Sequence, residues 1–571
     1  MTSVWAPFAT TMTMVIDNDA VPMRRGPDGR WFSNQSPAPG SDYGFVIDDG
    51  GDVLPDPRSR WQPNGVHGRS RALDPTQHEW ADVGWPGRQL QGGVLYELHV
   101  GTFTPEGTLD SAIARLDHLV ELGIDFVELL PVNAFDGTHN WGYDGVLWFA
   151  VHDGYGGPAA YKRFVNACHA RGLAVVQDVV FNHLGPSGNY LPRFGPYLTH
   201  ESRSTWGSSI NLDEPEVRAY ILDTATMWLR DYHVDALRLD AVHALVDKSP
   251  KHILEELAER TDAMSAELGR PLTLIAESDL NDPIVITPRH LGGYGIAAQW
   301  SDDFHHAVHV SLTQETTGYY GDFAKLEALA KVLTRGFYHD GTFSTFRNRR
   351  HGVPIDRDRL ATWQLVVAAQ NHDQIGNRAI GDRLTASLDA GQLAIAAVLT
   401  TMSPFTPMLF MGEEWAASTP WQFFTSFSDP ELGRATATGR IAEFARMGWD
   451  ESAVPDPQDP LTFARSKLDW TEVEDDSHAA MLELYRTLLA IRRSHPDIAD
   501  PSFLTATYEL DESERWFILH RRSISVAVNF AEYQRVLACD GSLLFSTSRS
   551  TVLSGGLVTL PGHSAAVIVR Q

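Results

Sequence analysis

A closed (β/α)8 TIM barrel, flanked by an N-terminal, immunoglobulin-like β-sandwich and a C-terminal β-sandwich domain, is the fold the sequence predicts. Three observations carry this α/β assignment. Between residues 91 and 495, apolar runs of strand length alternate with amphipathic helical stretches, the pattern of parallel strands joined by right-handed crossovers. At both ends of the chain the texture changes to short apolar runs between turn clusters. No Gly-x-Gly-x-x-Gly opens a helix, so an open nucleotide-binding sheet fits less well than a closed barrel with long insertions.

The first module spans residues 1–90. Its runs at 12–16 and 43–47 are separated by Asn18-Asp19, Gly26-Pro27-Asp28-Gly29 and Asp49-Gly50-Gly51-Asp52, which are turn chemistry. The barrel spans 91–495, with strands expected at 94–100, 126–132, 173–180, 236–242, 272–278, 366–373 and 408–414, and weaker ones near 296–300 and 338–343. Helices are expected at 109–122, 159–171, 216–232, 252–268, 386–399 and 478–493. In the first of these, Leu109, Ile113, Leu116 and Leu119 fall on one face. The last module, 496–571, carries β-branched and apolar runs at 516–520, 524–529, 536–539 and 557–560.

Composition narrows the function. The 571 residues hold 73 acidic and 46 basic side chains, a net charge of −27, and a field of that sign repels phosphate backbones and anionic lipid. Nucleic acid and membrane surfaces are therefore not the expected partners. Two cysteines, Cys168 and Cys539, make no disulfide framework. The start of the chain has no basic segment leading into an apolar one, and a cytoplasmic location is expected.

In a barrel the reacting face lies at the C-terminal ends of the strands, so the polar residues closing each apolar run matter most. Four runs close on Asp178, Asn182 and His183; on Arg238, Asp240 and His243; on Glu277; and on Asn371, His372 and Asp373. Any one acid alone is equally a helix N-cap or a turn residue; several converging on one rim suggest chemistry. Arg238 and Asp240 are two apart on a strand and share a face, and a guanidinium keeps its neighbour ionised. Glu277 follows an apolar run, whose desolvation favours the neutral acid. An ionised and a protonated carboxyl about 5 Å apart are what retaining glycoside hydrolysis needs.

His183, His243 and His372 suit sugar hydroxyls. They also suit zinc, although no His-x-His or His-x-x-x-His pair occurs in these strand ends. Asp178 and Asn182 fit either a structural role or a hard cation. The aromatics Trp141, Tyr143, Trp148, Tyr190, Tyr197 and Trp206, interleaved with Asn140 and Asp144, fit a groove that stacks on pyranose faces, or packing.

Taken in order, Asp178-Val-Val-Phe-Asn182-His183, Arg238-Leu-Asp240-Ala-Val-His243, Glu277 and Asn371-His372-Asp373 resemble the four signature regions of the α-amylase superfamily. Within it, the segments Leu54 to Gly68, Tyr96-Glu-Leu-His-Val-Gly-Thr-Phe-Thr-Pro-Glu-Gly107, Asn182 to Tyr190, Asn371 to Arg378 and Phe410 to Pro420 are similar to the malto-oligosyltrehalose trehalohydrolase family along nearly the whole chain. Ser187 departs from that family's Glu, and Phe181 from its Tyr.

The resemblance implies Asp240 as nucleophile, Glu277 as general acid/base and Asp373 as the third carboxylate. It implies Arg238, His183, His243, His372, Tyr143, Trp141, Asp144, Asn371 and Gln374 as substrate contacts, with no metal and no cofactor. The implied reaction is cleavage of the α-1,4 bond next to the terminal trehalose of a malto-oligosyl trehalose. Maltodextrins are related substrates, and a malto-oligosyltrehalose synthase acts upstream. Loops 279–282, 374–378 and 413–423 are expected to set specificity. The rival readings are a glycogen branching or debranching enzyme, and an amylase-like glycan-binding protein without chemistry.

Overall fold

The computed structural model describes residues 2–48, 50–204, 207–446 and 453–570. Eight parallel strands close into a barrel in strict chain order: β1 (Leu95–Leu98), β2 (Phe126–Leu129), β3 (Ala174–Val179), β4 (Ala236–Leu239), β5 (Thr273–Ala276), β6 (Ala298–Trp300), β7 (Leu365–Val367) and β8 (Thr406–Phe410), which pairs back to β1. Leu95, Phe126, Ala174, Val176, Ala236, Ile275, Ala298, Val366 and Met408 form one buried cluster, the apolar plug of the barrel. Two residues further along β1 to β4, on the same face because side chains alternate, stand Glu97, Glu128, Asp178 and Arg238. The plug thus gives way to a polar floor at the C-terminal mouth.

One expected strand is not part of this barrel. The run near 338–343 yields only Thr342–Ser344, which pairs antiparallel with Arg349–His351 in a separate hairpin. Its Phe343 is 54% exposed, whereas a parallel barrel strand is covered on both faces. The weak run near 296–300 is the true β6.

The helix expected at 109–122 is two, Leu109–Ile113 and Leu116–Leu122, the first capped by Thr108 and the second ended by Gly123 in the left-handed region. The helix after β3 runs over Pro215–Thr226 and widens at its exit into a π-turn at Met227–Asp231.

At the N-terminal end, strands Ser3–Trp5, Arg30–Phe32 and Arg24–Arg25 form one antiparallel sheet, and Asp19–Pro22, Met12–Ile16, Asp42–Ile47 and Ser70–Arg71 form another. At the C-terminal end, a five-stranded sheet (Ala506–Asp511, Trp516–Arg521, Ile524–Asn529, Ser564–Val569, Ser542–Ser546) faces a three-stranded one (Arg535–Ala538, Leu557–Leu560, Val552–Ser554). Ile518, Ala527, Leu537, Val558 and Ile568 make the core between them. No helix among the described residues is long and apolar enough to cross a membrane.

Candidate active site

Arg238 is the hub of the polar floor. Its side chain is fully buried on β4, stacked 4.3 Å over the Trp300 ring of β6, a cation–π contact strengthened by desolvation. From there Nη1 donates to Asp178 at 3.0 Å and to Asp240 at 2.7 Å, and Nη2 lies 3.8 Å from Glu277. One guanidinium thus gathers three carboxyls from the ends of β3, β4 and β5.

These carboxyls do not share one state. Burial works against charge on Asp240, but Arg238, His183 and the 2.7 Å hydrogen bond from Asn182 outweigh it and hold the carboxyl below its ordinary range. Glu277 is pushed well above the carboxylate range by burial and by Asp240, Asp373 and Asp302, with Arg238 only partly opposing. Burial raises Asp178 to about 6.

The backbone fixes the spacing of the pair. Ala241, next to Asp240, sits in the left-handed region at φ 39°, and its N–H donates to Glu277 Oε2 at 2.6 Å. A non-glycine residue there costs about 1–3 kcal/mol, and the geometry it yields is a nucleophile candidate and an acid candidate tied edge to edge.

A second chain of bonds closes the opposite wall. Glu97 accepts from the backbone N–H of His372 at 2.9 Å and faces Nδ1 at 2.5 Å. His372 Nε2 lies 2.8 Å from the Tyr143 hydroxyl, which donates to Asp178 at 2.6 Å. The Tyr143 and His372 rings stack at 5.2 Å. Burial opposes charge on His372, but Glu97 and Asp373 outweigh it and raise the imidazole to about 9. His183 bonds the Tyr143 carbonyl at 2.9 Å through Nε2 and Asn182 through Nδ1. Asp373 stands at the mouth, its side chain 42% exposed and 3.5 Å from His372 Nε2. Among the described residues, no group of three or more His, Cys, Asp or Glu is placed to hold a metal ion.

Residues 70–206 match the family described as alpha amylase, catalytic domain, and residues 501–567 match a domain of unknown function. A malto-oligosyltrehalose trehalohydrolase of Rhizobium sp. strain M-11 is 60% identical over 99% of this chain and 97% of its own. Another, of Arthrobacter ramosus, is 57% identical over 99% and 98%.

The chain belongs to the malto-oligosyltrehalose trehalohydrolase family.

Its fold also matches the 1.4 Å crystal structure of a Salmonella typhimurium protein described as an alpha amylase, with a TM-score of 0.92 and 37% identity over 100% of this chain and 97% of that one.

Against this trehalohydrolase frame, the expected contacts fall into two groups. Asp240, Glu277, Asp373, Arg238, His183, His372 and Tyr143 converge on the cup. The others sit around it. Trp141, 5% exposed, is stacked on Trp421 at 5.4 Å and turns its edge to His372, so it backs the rim rather than offering a face to a sugar. Asn371 caps the helix His372–Gly376 by accepting from Gln374 N, and the Gln374 amide reaches Asp302 at 3.4 Å. His243 accepts from the backbone N–H of Asp279 at 3.3 Å, and Asp144 accepts from Asn140 at 2.6 Å.

Of the wider aromatic set, Trp148 and Tyr197 are 2% and 4% exposed and belong to the core. Tyr190 reaches His67 with its hydroxyl at 2.8 Å, and Trp206 lies outside the described residues. Within the loop at 413–423, Glu413 accepts from Tyr485 at 2.9 Å, and Glu414 accepts from Tyr96 at 3.0 Å and meets His118 at 2.8 Å, whereas Trp421 donates to the His372 carbonyl at 3.1 Å.

Four residues of the cup were not anticipated: Glu97, Glu128, Trp300 and Asp302. Asp302 follows β6 and is raised to about 7 by burial, Asp373 and Asp279. The signal for Glu97 and Glu128 was available, since a charged residue inside an otherwise apolar parallel strand has to be buried.

Proposed function

We propose that this chain is a retaining glycoside hydrolase that cleaves the α-1,4-glucosidic bond adjacent to the terminal trehalose of a malto-oligosyl trehalose and releases trehalose. The observation that carries it is the unequal pair beside one guanidinium, Asp240 held below its ordinary range and Glu277 pushed above it, in a chain matched end to end by trehalohydrolases. Asp240 attacks the anomeric carbon while Glu277 protonates the leaving oxygen, which departs with the trehalose unit. Glu277, now a carboxylate, takes a proton from water, and that water releases Asp240 from the glucosyl-enzyme. Arg238 holds Asp240 ready, and Asp373 with His372 grips hydroxyls of the reacting glucose.

Specificity for the trehalose end fits the side of the cup beyond Glu277. There a small open pocket is lined by Asp279, Asn281, Asp302, Phe346 and Arg347 among others, and Arg347 is ion-paired to Asp279. The 374–378 segment borders it through Gln374 and Asp302. Alanine substitutions in 279–282, 374–378 and 413–423 should lower trehalose release more than attack on maltodextrins; equal loss on both would remove these loops from specificity. Supply of the substrate by a malto-oligosyltrehalose synthase completes the proposed setting. A cytoplasmic location belongs to the same proposed setting.

The test is product analysis on maltotriosyl trehalose with maltopentaose as control. Trehalose and maltotriose from the first, with slow attack on the second, is the expected result. New α-1,6 linkages would make the chain a branching enzyme, equal attack a general amylase or debranching enzyme, and no turnover a glycan-binding protein.

A further inference from the structure

Register sets Glu97 of β1 directly beside Glu128 of β2, two carboxyls at one level of the barrel interior, each about 1% exposed. Two like charges that close do not both persist away from water. Their partners decide which keeps its charge. Glu97 has two, the ring Nδ1 and the backbone N–H of His372. Neither oxygen of Glu128 has a hydrogen-bond partner.

The hydrogen bonds along the wall set the state of His372. Asp178 is ion-paired to Arg238, so it accepts, and the single hydroxyl proton of Tyr143 goes to it. The Tyr143 oxygen can then only accept from His372 Nε2. Nδ1 faces the Glu97 carboxylate and carries a proton as well. Both ring nitrogens are protonated, and Glu97 is the counter-ion of an imidazolium.

Resting on the glycosidase reading of the cup, we propose that Glu97 is a positioning residue of the reaction, which grips His372 from behind and keeps Nε2 the donor to the Tyr143 hydroxyl in the wall of the cup, while Glu128 is the uncharged neighbour that lets Glu97 stay ionised.

The groups that face His372 agree with this. They are Glu97, Glu128, Asp178 and Arg238 from four strands, Tyr143 from the loop after β2, His99 after β1, and Asp373 beside it. His99 is held neutral by burial, lowered to about 3, and burial with Glu97 and Asp178 pushes Glu128 well above the carboxylate range. The charge His372 feels from behind therefore comes from Glu97. Its chain position, remote from the four signature segments, makes Glu97 invisible to an inventory of strand-end acids.

The test compares Glu97→Gln, Glu97→Asp and Glu128→Gln in the full chain. For Glu97→Gln, kcat on maltotriosyl trehalose should fall about ten-fold or more, with KM changing less, as expected for a lost charge-assisted bond. The alkaline limb of the rate profile should move down by about one pH unit or more, because the imidazolium loses its counter-ion. Glu97→Asp should restore part of that limb. Glu128→Gln, an amide in place of a protonated acid, should leave the alkaline limb where it stands, whatever its effect on kcat. In a His372→Asn background the effect of Glu97→Gln should vanish, since it acts through that ring.

An unmoved alkaline limb in Glu97→Gln, an equal shift in Glu128→Gln, or a full Glu97→Gln effect in the His372→Asn background would each overturn the proposal. A measurement without substrate separates it from the proposed function. With His372 raised in the folded state, the native protein loses stability as pH rises through about 9, and Glu97→Gln should flatten that part of the curve of thermal midpoint against pH. A wild type that turns over neither glucan but shows this flattening would remove the hydrolase and keep the pair; an unchanged curve would remove the pair.

Discussion

The hydroxyl of Tyr143 offers a clean perturbation of the cup, because Tyr143→Phe keeps the ring stacked on His372 and removes one oxygen. That oxygen donates to Asp178 at 2.6 Å and meets His372 Nε2 at 2.8 Å, so both of its partners are charged. A hydrogen bond to a charged group is worth about 1.5–3 kcal/mol, and losing one such bond from the transition state lowers kcat/KM by about 10- to 150-fold. The pH dependence should move as well. Asp178 stands at about 6, raised by burial and held from rising further partly by this hydroxyl. Without it the carboxyl protonates at higher pH, Arg238 loses an anion that orients it, and the acid limb of kcat/KM shifts upward. Trehalose release followed from about pH 4 to 9 reads both quantities. A Phe variant within about three-fold of wild type, with an unmoved acid limb, would refute the view of Tyr143 as a link between two charged groups.

Four further substitutions test other parts of the structure. Asp240→Asn and Glu277→Gln should each lower kcat by about a hundred-fold or more, and azide should restore turnover only to a small-residue variant at Asp240; activity retained in either would remove that residue from the chemistry. Gly376→Ala would put a Cβ 2.0 Å from the Trp141 ring, and overpacking of about 1–3 kcal/mol that displaces the backing of His372 should show in both the thermal midpoint and kcat. At the opposite, N-terminal mouth of the barrel, His169 lies 2.7 Å from Asp82 and 3.0 Å from Asp235. Burial opposes its charge, yet the two carboxylates raise the imidazole above its ordinary range. Its contribution is thus full below about pH 6.5 and lost as pH rises through the raised folded value. His169→Gln should cost about 3–5 kcal/mol in mildly acid solution and less in alkaline solution, which a denaturation series against pH would check.

Much of the cup was legible because strands make residue spacing geometric. Arg238 and Asp240, two apart on β4, face the same way, and the acid that closes each apolar run stands at the reacting mouth. What the spacing could not supply was the third dimension. Trp141 looks like a sugar platform until Trp421, 280 residues further on, covers its face. Thr342–Ser344 resembles a barrel strand in composition, and only its exposed Phe343 shows that nothing packs over it. Glu97 and Glu128 lie inside apolar runs rather than at their ends, so a search of strand ends passes them by, although a carboxyl in the middle of a parallel strand costs too much to be incidental.

The distribution of protons in the cup is coupled through its charges. Arg238 and His372 are the two cations of the floor, and Glu97, Asp178 and Asp240 already supply three anions around them. A further negative charge on Glu277 would find Arg238 shared between Asp178 and Asp240 and would face Asp373 and Asp302 as well. The resting state therefore leaves the proton on Glu277, where the first step needs it. Once Asp240 is bound to glucose its charge is gone, and the same guanidinium is free to stabilise Glu277 as a carboxylate, which the second step needs. The exchange of roles between acid and base follows from one buried arginine serving whichever of its neighbours is ionised, and it needs no movement of the backbone that ties Ala241 to Glu277.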